Sequence, residues 1–109
     1  MATATQLDQP IPERHILDQP IRFRCGELVL SHGVKALIRQ HRLDPKPHFL
    51  SHLSGNWGDA AIEQWAANER ALIDGGQLSS SYQVTPKITL SIRTEPDRSL
   101  TTITLEGEG

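Results

Sequence analysis

An α+β fold is what this sequence predicts: about three helices packed on a small antiparallel sheet of three or so strands, with an extended N-terminal arm. Three observations carry the expectation. Apolar residues recur at helical spacing between Val34 and Ile73, they alternate with period two from Leu78 to Leu105, and Pro10, Pro12 and Pro20 punctuate the chain before Phe23. Helices gathered in one half and strands in the other is the order of an α+β domain, not of alternating βαβ units. The arm is expected over 1–22 and a single domain over 23–109.

The arm contains an echo, LDQPIPER over 7–14 and LDQPIRFR over 17–24. Two copies fall short of a solenoid. The segment reads either as a flexible leader or as a strap lying on the domain or on a second subunit, anchored by Leu7, Ile11, Leu17, Ile21 and Phe23. Gly26 to Leu30 can form a short strand or turn, after which Ser31 is a helix N-cap. Val34, Leu37, Ile38 and His41 then fall at i, i+3, i+4 and i+7. They define an amphipathic helix of about eleven residues with Lys35, Arg39 and Arg42 outside. Asp44 and Pro45 open a second helix to Leu53 that buries Phe49, Leu50 and Leu53, and Gly55 supplies its left-handed stop. Asp59 is placed to cap a third helix reaching Ile73, whose apolar positions are Ile62, Trp65, Leu72 and Ile73. Asn68 falls on or beside that stripe, where its amide must find partners. After Gly75 and Gly76, period-two runs over Leu78 to Val84, Ile88 to Ile92 and Thr101 to Leu105 predict a meander with turns at Thr85 to Lys87 and Glu95 to Arg98.

At 109 residues, with 37% apolar and 22% charged composition, the chain has room for one soluble core. No apolar run approaches a membrane span, and the N-terminus has neither a basic start nor an apolar stretch, so a cytoplasmic protein is the expectation. Cys25 is the single cysteine, which excludes an internal disulfide and a multi-cysteine zinc site; it reads as a small hydrophobe. The net charge of −2 argues against non-specific nucleic-acid binding. Its distribution is uneven, however. Arg22, Arg24, Lys35, Arg39 and Arg42 lie in a basic stretch that can attract phosphate, whereas the chain after Pro47 is acidic.

Chemistry-bearing motifs are sparse. His48 and His52, four apart, can face one metal, with His41 or His32 as a third ligand, but no carboxylate follows at a recognised spacing, and the favoured reading is that they are exposed helix histidines. Ser79, Ser80 and Ser81 lack a nucleophile elbow and read as strand residues facing water. No cofactor and no metal are expected. The densest constellation is Asn56, Trp57, Asp59, Asn68, Tyr82, Glu95, Asp97, Arg98, Ser99 and Thr101. An indole with arginine, amides and acids is the composition of binding hot spots. Each residue also has a structural reading: Trp57 as a core plug, Asp59 as a helix cap, Asp97 as a turn-former paired with Arg98.

The same blocks carry a resemblance. Gly26-Glu-Leu-Val, Ser54-Gly-Asn-Trp-Gly-Asp59, Ala67-Asn-Glu-Arg-Ala-Leu72, Gly75-Gly-Gln-Leu-Ser-Ser80, Tyr82, Thr94-Glu-x-Asp-Arg-Ser99 and Thr101-Thr-Ile-x-Leu105 resemble a family of small bacterial proteins often carried on plasmids and other mobile elements. The match spans Phe23 to Leu105 and departs from the family pattern at Asn56, where an aspartate is usual, and at Ala60 and Ala61, where acids are usual. The resemblance implies a class and no mechanism. Together the readings point to a small non-enzymatic accessory protein acting by protein–protein interaction or self-association through the tryptophan loop and the Asp97–Arg98 turn. Phosphate or nucleic-acid binding through the basic stretch is the alternative, and a small hydrolase the third.

Overall fold

The computed structural model describes residues 20–108, so the arm anchors Leu7, Ile11 and Leu17 lie outside the described residues. The elements are β1 (Glu27–Leu30), α1 (His32–Arg39), α2 (Lys46–Leu53), α3 (Ile62–Asp74), β2 (Leu78–Thr85), β3 (Ile88–Thr94) and β4 (Leu100–Leu105). The α+β expectation holds, with three helices on a sheet of four strands rather than three. Strand order is β1-β4-β3-β2, and β1 runs parallel to β4 while the other pairs are antiparallel, so the sheet is mixed. Gly26 to Leu30 escaped a firm strand reading because Leu28, Val29 and Leu30 are consecutive apolar residues without alternation.

One face of the sheet holds the core. Leu78, Ser80 and Tyr82 of β2, Leu90, Ile92 and Thr94 of β3, and Thr101 and Ile103 of β4 are buried at alternate positions. Val34 and Leu37 of α1 pack with Leu90, Ile92, Ile103 and Tyr82, and a second cluster joins Trp57, Ala71 and Leu78 with Phe23, Trp65 and Leu72.

Helix ends show where periodicity overreaches. Ser31 does cap α1, its Oγ accepting from the Val34 amide at 3.2 Å. The helix nevertheless stops after eight residues, because His41 turns left-handed at φ 57 and the Arg42 and His41 amides close back onto the Leu37 and Ile38 carbonyls. His41 is therefore exposed and outside the helix. Gly55 ends α2 in the same manner at φ 87, with the Asn56 amide on the Ser51 carbonyl, as the sequence predicts. On α3, Trp65 and Leu72 are half-buried, but Ile62 and Ile73 are 81% and 84% exposed. Asn68 and Ala71 face the sheet instead, which rotates the two isoleucines to the outer face. Among the described residues no helix is long and apolar enough to cross a membrane.

Candidate functional site

The tryptophan loop lies along the free edge of β2. Trp57 is wholly buried, and its Nε1 donates to Glu69 Oε2 at 3.0 Å. Gly58 forms a parallel bridge with Ser81, in which the Asp59 amide donates to the Ser81 carbonyl at 2.6 Å and the Ser81 amide to the Trp57 carbonyl at 3.3 Å. A side chain at Gly58 would meet the Ser81 carbonyl oxygen at 2.3 Å and the Tyr82 ring at 2.4 Å, so only glycine lets the loop approach. Asp59 does not cap α3, whose N-cap is Ala61. Its carboxylate accepts from the Gln83 amide at 2.8 Å, an outward donor of β2 that the sequence gives no means to foresee. Asn68, fully buried, pairs with both the amide and the carbonyl of Ser79, at 3.1 and 2.7 Å. Asn56 remains exposed while its side chain accepts from the Gly58 amide, and its carbonyl accepts from Tyr82 Oη. Burial pushes that phenol up to about 12.

Much of the predicted constellation therefore closes the edge of the sheet, giving the outward amides of Ser79, Ser81 and Gln83 acceptors they would otherwise lack. Asn68→Ala is expected to cost about 2 kcal/mol by stripping partners from the Ser79 backbone, read as a lower urea midpoint at unchanged m-value. A midpoint equal to wild type would show that water replaces the amide without loss.

Behind Trp57 lies a buried polar relay. His52 is wholly buried, with Ser80 Oγ against Nδ1 and Thr94 Oγ1 at 2.9 Å from Nε2. Thr94 Oγ1 is 2.7 Å from Thr101 Oγ1, and Thr101 donates to the Cys25 carbonyl at 2.7 Å. The terminal carbonyl can only accept, which fixes the protons as far as His52 Nε2, and a neutral ring then leaves Nδ1 as an acceptor. Thr94 donates to Thr101, His52 Nε2–H donates to Thr94, and Nδ1 accepts from Ser80. The imidazole is neutral, and burial, with the Arg98 charge second, lowers its pKa to about 4. The expectation that His48 and His52 are exposed thus fails at His52, and Ser80 faces the core while Ser79 and Ser81 point to the other face. Both outcomes follow from periods already in the sequence: His52 sits three after Phe49, and Ser80 is the middle member of the inward Leu78–Ser80–Tyr82 set.

The Thr94 to Thr101 turn does lie beside the tryptophan loop, with Phe23 between them. Phe23 stacks on Trp57 at 6.1 Å and meets the His52 ring edge-on at 5.3 Å, while the Arg98 guanidinium sits over the Phe23 ring, 5.8 Å from its centroid. Arg98 does not pair with Asp97. Its guanidinium donates to the carbonyls of Ala71, Gly76 and Glu95, neutralising the C-terminal end of α3, and the residue is left-handed at φ 61. Asp97 accepts from the Ser99 amide and hydroxyl, which hold its carboxylate below the usual range. Glu95 takes part through its backbone, its carbonyl accepting from Arg98.

The basic alternative draws on three segments, the stretch before β1, α1 and the turn after it. Arg22 makes a two-pronged pair with Glu69, both bonds 3.0 Å, which raises its pKa; Arg24, Lys35, Arg39 and Arg42 are exposed, Arg42 bonding to Gln40. Cys25 is half-buried. Among the described residues no three His, Cys, Asp or Glu side chains converge as a metal site would require. Ser80 against His52 has the sense of a serine and its base, but Thr94 stands where a carboxylate would strengthen that base, and Phe23 and Trp57 cover the pair. No family model, curated protein or solved structure matches the chain.

Proposed function

We propose that this is a small non-enzymatic accessory protein, of the mobile-element type its motifs resemble, which works by protein–protein contact and takes an extended segment of a partner on the β1 edge. What supports this reading is the unequal treatment of the two sheet edges. The β2 edge is closed by Trp57, Gly58, Asp59 and Asn68. At β1 the Glu27 and Ser31 amides bond to β4, so by alternation the Leu28 and Leu30 backbone groups point away from the sheet, and Leu28 and Val29 are 42% and 40% exposed. An apolar edge whose outward amides pair with no other strand among the described residues is a template for strand addition. Trp57 is buried, so it supports the contact only by holding the sheet.

Affinity capture from bacterial extract with wild type and with Leu28→Lys plus Val29→Lys tests the reading. Wild type is expected to retain a partner that the edge variant releases, with little dependence on salt. Equal retention by both would refute the edge, and a collapse of binding at moderate salt would favour the phosphate-binding alternative.

A further inference from the structure

The outer face of α3 holds the two most exposed large apolar side chains described, Ile62 and Ile73. Eleven residues separate them, about three turns, so they lie on one face roughly 16 Å apart with Ala66 between them. Arg22, Glu69, Arg70 and Asp74 border an adjoining open groove of about 470 Å³. The flanks differ. On one side Glu69 is already neutralised by Arg22; on the other stand Glu63, Arg70 and Asp74, all exposed and spaced by seven and four.

We propose that this stripe is a self-association surface on which α3 packs antiparallel against α3 of a second copy. A two-fold contact requires a patch that is its own complement, and this helix meets the requirement. Antiparallel pairing about the Ala67–Asn68 midpoint sets Ile62 against the partner's Ile73 and places Ala66, which has no bulk to hold the helices apart, near the axis. In such a pair like flanks face each other, so Glu63 lies within one turn of the partner's Arg70. Asp74 is an acid in the last turn of its own helix, to which α3 itself contributes no basic residue, and the N-cap of α3, Ala61, makes no side-chain hydrogen bond. The two-fold brings Asp74 to the partner's uncapped helix start and offsets both features. A parallel pair would instead face unlike flanks and set Arg70 against the partner's Glu69, which Arg22 already neutralises. The surface lies on α3, away from the β1 edge, and the two proposals fail separately.

Sedimentation velocity of the full chain across the micromolar range tests the proposal. A monomer–dimer equilibrium is expected, weakened at least tenfold by Ile73→Lys and by either Glu63→Arg or Arg70→Glu alone, and recovered when both charges are exchanged in one chain. Because these positions are exposed, the monomer should keep its wild-type unfolding midpoint. A wild type that stays monomeric, a dimer indifferent to Ile73→Lys, a dimer lost with Leu28→Lys instead, or a charge exchange without recovery would each overturn it.

Discussion

Truncating Trp57 to alanine is expected to remove about 3 to 5 kcal/mol of folding stability, a large share of the 5 to 15 that a domain possesses. The indole has no exposed surface, and it is gripped on several sides: Phe23 stacks on it, the His52 ring meets it edge-on at 5.6 Å, and Ala71 and Leu78 complete the cluster. Its Nε1 bond to Glu69 also carries the Arg22 pair, so one side chain ties the loop, α3 and the segment before β1 together. Trp57→Phe keeps most of the ring and loses the bond, and should cost about 1 kcal/mol beyond the smaller buried area. Urea denaturation separates the two. If Trp57→Ala unfolds at the same midpoint as wild type, the burial is wrong. If it falls as expected, loss of partner binding by that variant reports a damaged fold and locates no interface, which is why Leu28→Lys and Ile73→Lys are the informative probes.

The fold was legible where one periodicity governed one element. Leu78–Ser80–Tyr82 and Leu90–Ile92 specify an inward face by alternation, and Gly55 specifies a helix stop, because each rests on local geometry. The candidate site was legible as a set of residues but not in its roles. Asp59 followed by a helical stretch has the pattern of an N-cap, yet its carboxylate serves an amide 24 residues away on β2, a partner set only by the packed sheet. Arg98 beside Asp97 reads as an ion pair, while the guanidinium instead serves carbonyls at the end of α3. Ile62 and Ile73 looked like core because helical spacing counts apolar residues without weighing Asn68, whose demand for the Ser79 backbone orients the helix. Polar side chains that satisfy distant backbone decide the geometry here, and their partners cannot be read from neighbours in sequence.

The relay around His52 predicts a loss of stability in mild acid. Its folded pKa is about 4 against 6.5 for the free group. Above pH 6.5 both folded and unfolded chains carry it neutral, and it adds no pH dependence. Between 6.5 and 4 the unfolded chain takes up a proton that the folded one refuses, so stability falls as pH falls, by about 1.4 kcal/mol per unit and about 3 kcal/mol in all. Burial of His48 lowers its pKa too and adds in the same direction. Glu69, Glu108 and Asp97 are all held below their ordinary values of 4.5, 4.5 and 3.8, so what they contribute is present in full above those values and is lost as pH falls below them. The geometry explains why the proton is refused. A second ring N–H would point at the Ser80 hydroxyl, which now donates to Nδ1, and the new charge would face Arg98 with no carboxylate in contact among the described residues. Urea titrations at pH 7 and pH 5 should therefore show a drop of about 2 kcal/mol in wild type. His52→Gln, which cannot titrate, should lose most of that slope even if it starts less stable. Parallel losses in the two proteins would mean that another group takes up the proton and that the relay is not the acid-sensitive element.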